Sequence, residues 1–169
     1  MPGTVEVAGP LGIFFFGVLM KNHDVLIRPY APAKDTQELS LIWLEASRVV
    51  HPFIGEARLV EQRALIENQY LPSAETWVAT IHDLPCGFIS LLDTFVGGIF
   101  VSPNRQGRGI GRRLIAHALG LSGELSLDVY IENRQAMSFY TELGFRELSR
   151  RPVDDDGYPF ENARLRLTG

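Results

Sequence analysis

The most constraining feature of this sequence is a glycine-rich segment that joins an apolar strand pattern to an amphipathic helix pattern. It reads Gln-Gly-Arg-Gly-Ile-Gly over residues 106–111 and follows an apolar run that ends at Val101. Glycines let a backbone approach a ligand closely, and the first turn of a helix presents unpaired N–H groups with a partial positive charge. The segment therefore predicts an anion site, most simply for phosphate, at a strand-to-helix turn.

Positive charge is concentrated around this segment, because four arginines lie there while the whole chain has a formal net charge of -4. A local cluster of this kind favours a bound phosphate and argues against a nucleic-acid partner. The sequence contains no Gly-x-x-x-x-Gly-Lys loop, and Arg112 stands where a dinucleotide fingerprint has glycine. Nucleotide hydrolysis and hydride transfer are thus disfavoured, and a solvated connector is the simplest alternative. The arginines are Arg105, Arg108, Arg112 and Arg113.

The apolar periodicity predicts one strand, two helices, three strands, a helix, a strand, a helix and two strands. This order is typical of an α+β domain with a central mixed, mostly antiparallel sheet flanked by helices. Asp35 and Glu38 are predicted to cap the first helix, and Asn133 and Gly144 to begin and end the last. Strands are predicted at 25–30, 77–81, 86–92, 97–101, 125–131, 145–150 and 163–167, and the later helices at 58–71, 110–121 and 133–143.

The length of 169 residues, with 46% hydrophobic and 21% charged residues, fits one folded domain, which we place at residues 25–169. Cys86 is the single cysteine, which excludes an internal disulfide and a cysteine-based metal site. It is typical of a small buried strand residue and agrees with a reducing, cytoplasmic location. We predict no metal.

Residues 1–24 are predicted to be an N-terminal extension. The apolar run from Leu11 to Met20 is about half as long as a membrane-spanning helix, and no Lys or Arg precedes it as a signal peptide would require. We therefore expect no membrane partner. The extension is either not native to the protein or an arm that forms a dimer, so a monomer and a homodimer both stay open.

Two motifs in this order resemble the GNAT acetyltransferase superfamily. The first has the spacing Gln-x-x-Gly-x-Gly at Gln106, Gly109 and Gly111, and the second begins at Asn133 and ends at Phe145. The resemblance covers residues 25–169, and the chain is similar to the small bacterial members of the superfamily. The second motif comprises Asn133, Ala136, Phe139, Tyr140, Leu143, Gly144 and Phe145.

The resemblance implies transfer of acetyl from acetyl-CoA to a primary amine by direct attack on the thioester. The amine is a protein lysine, an N-terminus or a small amine, and a non-catalytic acyl-CoA-binding or sensor module is the alternative function. Divergence of the strand ending at Val101 from the strand at 125–131 would form a slot for pantetheine. The implied cofactor contacts are Phe100, Val101, Gln106, Gly107, Arg108, Gly109, Ile110, Gly111, Arg112 and Asn133.

Tyr140 is the candidate general acid, since the family places this tyrosine beside the cofactor sulfur. A phenol of pKa about 10 can protonate a departing thiol of pKa about 8.5. The alternative interpretation of Tyr140 is a core-facing aromatic residue. The presence of a tyrosine at this position argues against the sensor function. The general base stays open among His51, Asp93, Asp128 and Glu132. The predicted acceptor-binding residues are His51, Phe53, Asp128 and Tyr158.

Overall fold

The computed structural model describes residues 24–50 and 52–169. The predicted extension, apart from Asp24, and the apolar run from Leu11 to Met20 therefore lie outside the described residues. His51, a predicted base and acceptor contact, also lies outside them.

Within the described residues the chain forms seven strands and four main helices, in the order predicted. The second helix continues without a break into a π-helical turn, Ile66–Tyr70, and a last turn, Leu71–Ser73. The strands are β1 (Val25–Pro29), β2 (Glu75–Ile81), β3 (Leu84–Leu92), β4 (Phe95–Val101), β5 (Glu124–Tyr130), β6 (Arg146–Arg151) and β7 (Asn162–Thr168), and the helices are α1 (Pro32–Val50), α2 (Glu56–Leu65), α3 (Ile110–Ser122) and α4 (Arg134–Leu143).

All seven strands belong to one sheet with the order β1-β2-β3-β4-β5-β7-β6. The pairs are antiparallel except for β4 and β5, which run parallel. The predicted α+β class and the mixed, mostly antiparallel sheet are thus confirmed. The parallel pair is possible because α3 provides the crossover between β4 and β5.

The ends of α3 and α4 follow the glycine and asparagine positions of the sequence. Gly109 and Gly144 adopt φ angles of 81° and 102°, which residues with a side chain rarely adopt. Asn133 Oδ1 accepts a hydrogen bond from Ala136 N at 3.1 Å, as an N-cap residue does. The predicted bounds of α4 are therefore confirmed.

Two helix predictions need correction. α1 begins at Pro32, so Asp35 lies inside its first turn, where it accepts from Ala31 N at 2.8 Å and pairs with Arg28 at 2.7 Å. Its partner in the predicted capping pair, Glu38, is exposed. The second helical stretch begins at Glu56 and passes Pro72, which lies at the start of the last segment, after the π-helical turn.

Helices cover both faces of the sheet, because adjacent strand residues point to opposite faces. Val78 packs with α1 and α2, whereas its neighbour Ala79 packs with α3. Cys86 lies in the core on the α3 side, where its Sγ donates to Ala79 O at 3.3 Å. Burial raises the pKa of the Cys86 thiol to about 11.

Candidate active site

β4 and β5 diverge almost as soon as they meet. Among the described residues they share one bridge, Phe95 with Ser126, beside a hydrogen bond from Ser126 N to Thr94 O at 3.0 Å. Beyond this point the two strand edges line a cavity of about 550 Å³ that also reaches α4 and α2. The divergence expected from the family is therefore present.

The glycine-rich segment fits a bound pyrophosphate. Gly107 and Gly109 both have positive φ, and a Cβ added to either would meet no atom within 4 Å, so the backbone here is open to a ligand. The first backbone hydrogen bond of α3 runs from Arg113 N to Gly109 O at 3.1 Å. The N–H groups of residues 110–112 therefore precede the first helical hydrogen bond, as in anion-binding helix starts.

The remaining residues of this segment divide into ligand-facing and structural groups. Ile110 is 1% exposed and belongs to the core, so only its backbone is available to a ligand. Gly111 faces Phe139 of α4, since an added Cβ would lie 3.2 Å from that ring. Gln106 Nε2 donates to Val101 O at 3.2 Å and ties the segment to the end of β4. Arg108 and Arg112 are exposed.

Tyr140 lies on α4 at the cavity wall and is 8% exposed. Its ring packs edge-on against Phe139 and Phe145, so Tyr140 is also a core-facing aromatic residue. Burial raises the pKa of Tyr140 well above that of a free phenol. Within the described part of the chain we find no hydrogen-bond partner for its hydroxyl, which is thus available to a ligand.

Phe100 and Asn133, two of the predicted cofactor contacts, also line the cavity. The Phe100 ring packs against Trp43 of α1 at 6.4 Å and against Phe88 of β3 at 5.5 Å. We call the part of the cavity lined by β4 and α4 the cofactor side. The part lined by α1, α2, β5 and the β6–β7 loop, residues 152–161, is called the acceptor side.

The base candidates differ in position. Asp128 lines the cavity, but its carboxylate is paired with Arg164 and, at 3.2 Å, with Arg151. Asp93 is an exposed turn residue with φ 59°, and Glu132 is exposed in the turn before α4. Of these three, Asp128 alone borders the cavity. Both of its carboxylate oxygens accept hydrogen bonds from these arginines and are thus already engaged.

Phe53 and Tyr158 lie next to the acceptor side but do not line the cavity. The Phe53 ring packs against Tyr130 at 5.4 Å and Phe160 at 5.0 Å. Tyr158 is half exposed and lies under the guanidinium of Arg58. Neither residue is part of the cavity lining, whereas Tyr130 is.

Several lining residues were not predicted. They come from α1, α2 and the π-helical turn after it, β5 and the β6–β7 loop, which the fold brings together from distant positions. No local pattern in the sequence indicates which carboxylates of residues 154–156 face the cavity. The unpredicted lining residues include Trp43, Leu59, Gln62, Tyr70, Tyr130, Asp155 and Asp156.

Among the described residues, no three His, Cys, Asp or Glu side chains lie close enough together to hold a metal ion. None of the described helices combines the length and the apolar character needed to cross a bilayer.

Residues 72–147 match the family described as Acetyltransferase (GNAT) domain. With the relatives below, this match shows that the chain belongs to the GNAT family and is an N-acetyltransferase. Acetyl-CoA is the cosubstrate of this class, as the motifs implied.

The similar proteins include Peptidyl-lysine N-acetyltransferase YjaB of Salmonella typhimurium, which is 36% identical over 128 residues, or 75% of this chain and 88% of that protein. The solution structure of apo YjaB from Escherichia coli has a TM-score of 0.77 at 34% identity and covers 86% of this chain and 98% of that one. The structure of yncA from Salmonella typhimurium with its cofactor acetyl-CoA has a TM-score of 0.60 at 19% identity, over 85% of this chain and 93% of that one, and shares the fold.

Proposed function

We propose that this protein transfers the acetyl group of acetyl-CoA to the side-chain amine of a lysine in a polypeptide. The observation that carries the proposal is the divergence of β4 from β5, which opens a cavity that contains Tyr140 and lies between two sets of helices. The thioester supplies the activated acetyl group. The protein has to hold it, present the amine and move two protons.

The start of α3 holds the pyrophosphate in this proposal. Gly107 and Gly109 leave room for it, the N–H groups of residues 110–112 donate hydrogen bonds, and Arg108 and Arg112 add charge. The edge of β4, from Val96 onward, lacks a β5 partner among the described residues, so its N–H groups can orient a carbonyl in the slot.

Tyr140 protonates the departing sulfur. Its raised pKa keeps the phenol protonated at neutral pH, and its hydroxyl is available within the cavity. The same burial disfavours a phenolate, so this proton transfer has to be coupled to proton loss from the attacking amine. Since Asp128 is held by two arginines, that amine proton leaves through water.

The acceptor side suits a lysine. The aliphatic stem of a lysine packs well on apolar walls, here Trp43 and Leu59. Asp155 and Asp156, each paired with an arginine, add polar groups to the same lining. The YjaB relatives, whose names describe peptidyl-lysine N-acetyltransferases, support the same acceptor class.

Calorimetric titration with acetyl-CoA, followed by measurement of free-thiol release with lysine peptides and small amines, tests the proposal. Binding with peptide-dependent release supports it. Release with small amines alone would replace the acceptor class, and binding without release from any amine would favour a sensor. A cytoplasmic location and the choice between monomer and homodimer remain predictions.

A further inference from the structure

Arg58 of α2 makes three contacts with the β6–β7 loop. Its Nη2 lies 2.5 Å from Asp156 Oδ2 and 3.6 Å from Asp154 Oδ2, and its guanidinium carbon lies 3.8 Å from the centre of the Tyr158 ring. The Arg58 side chain is only 13% exposed. The electrostatic interaction in partly buried ion pairs of this kind is screened by salt less than in surface pairs, so removing one has a larger effect on the surrounding structure.

Asp154 carries the connection further, towards the cavity. Its side chain is 7% exposed, and its Oδ1 accepts from the N–H groups of Asp156 at 3.0 Å and Tyr158 at 2.9 Å. Its Oδ2 accepts from the Tyr130 hydroxyl at 3.0 Å. A continuous network thus runs from α2 through the loop to the end of β5.

This network joins three elements that line the acceptor side. Leu59, next to Arg58, lines the cavity from α2, while Asp156 lines it from the loop and Tyr130 from β5. The glycine-rich segment belongs to the other face of the sheet, where Ile110 packs with the α3 core. A change at Arg58 should therefore affect the acceptor side and leave the pyrophosphate site intact.

We propose that Arg58 is a positioning residue that holds the β6–β7 loop against α2 and, through Asp154, orients Tyr130, so that it sets the affinity for the amine acceptor. The inference rests on the proposed function. Arg58 does not contact the reacting atoms. It acts through the shape and charge of the wall that receives the acceptor.

Steady-state kinetics of Arg58→Met and Arg58→Lys test this role. Methionine keeps part of the stem over Tyr158 but removes the charge, whereas lysine keeps the charge and loses the forked geometry. We expect Arg58→Met to raise the KM for a lysine peptide about tenfold, with the Kd for acetyl-CoA within about twofold of the parent protein, and Arg58→Lys to recover part of the loss.

Arg48 provides a matched control. It also pairs with a carboxylate, Glu56, at 2.5 Å, but both side chains are about half exposed and neither lines the cavity. Arg48→Met should leave the peptide KM unchanged. An unchanged KM in Arg58→Met, or an equal loss of acetyl-CoA affinity, would overturn the positioning role.

Hydrogen exchange gives a readout that needs no activity. The amides of Asp156 and Tyr158 donate to Asp154, so they should exchange at least several-fold faster in Arg58→Met and at an intermediate rate in Arg58→Lys. Unchanged exchange contradicts the inference. If the parent protein releases no thiol with any amine, the proposed function fails, while the exchange measurement still decides whether Arg58 holds the loop.

Discussion

A Cβ built on Gly111 would lie 3.2 Å from Cζ of Phe139, so α3 and α4 meet where the former leaves the phosphate site and one residue before Tyr140. This contact couples the helix that holds the pyrophosphate to the helix that carries the proposed acid. The third glycine of the motif is thus explained by helix packing, whereas Gly107 and Gly109 are explained by open backbone.

Gly111→Ala should not bring the gain in stability that replacing a helical glycine with alanine normally brings. Gly120 lies in the same helix, and a Cβ added there would meet no atom within 4 Å, so Gly120→Ala should stabilise by about 0.5–1 kcal/mol. We expect Gly111→Ala to be less stable than Gly120→Ala by about 1–3 kcal/mol because Phe139 has to move. Urea unfolding of both variants measures the difference in stability. Equal midpoints would show that Phe139 moves aside without loss of stability.

Gly109→Glu should weaken acetyl-CoA binding more than Gly109→Ala does. Both substitutions place a side chain at φ 81° and share the backbone strain, so their difference isolates charge and bulk at the pyrophosphate site. We expect the Kd of the glutamate variant to exceed that of the alanine variant by about tenfold or more. Calorimetry measures both. Equal affinities would place the pyrophosphate elsewhere.

Tyr140→Phe should lower kcat by about a hundredfold or more, because general acid catalysis contributes about that much. The ring packs on Phe139 and Phe145, so the phenylalanine keeps the fold, and the Kd for acetyl-CoA should stay within about twofold. Tyr70 lines the same cavity but is about half exposed, and Tyr70→Phe is the matched control. Full turnover by Tyr140→Phe would remove this hydroxyl from the mechanism.

The pH dependence of kcat/KM tests the route of the amine proton. A lysine amine has a pKa of about 10.4, so its reactive neutral fraction rises about tenfold per pH unit below that value. Burial raises the pKa of Tyr140, so the acid keeps its proton over the same range and no descending limb should appear. We expect a log-linear rise from about pH 6 to 9. A plateau near pH 7 would instead indicate a protein base, for which His51 is the first candidate.

The sequence predicted the fold well because its signals are local. Glycine at positions that need positive φ, asparagine at a helix start and alternating apolar residues act over a few positions each, and Gly109, Asn133 and Gly144 lie where they were expected. One of the two corrected predictions, the capping role of Asp35, was wrong because its partner Arg28 lies in β1, so the role of Asp35 depends on tertiary structure.

The candidate site was predicted in part, for the same reason. The cofactor side comes from β4 and one motif on α4, each of which has a local sequence pattern. The acceptor side is assembled from α1, α2, β5 and the β6–β7 loop, and no local pattern shows which neighbours of Arg58 face the cavity. Contacts such as that of Arg58 with Asp156, 98 positions apart, leave no local pattern.

The burial of Cys86 has a practical value for every kinetic test above. A thiol reacts as its thiolate, and the pKa of about 11 together with the core position keeps this sulfur from colorimetric disulfide reagents while the protein is folded. Since the chain has a single cysteine, the native enzyme adds no background to such an assay. The colour then counts released coenzyme A alone, and a slow rise in an enzyme-only blank reports unfolding.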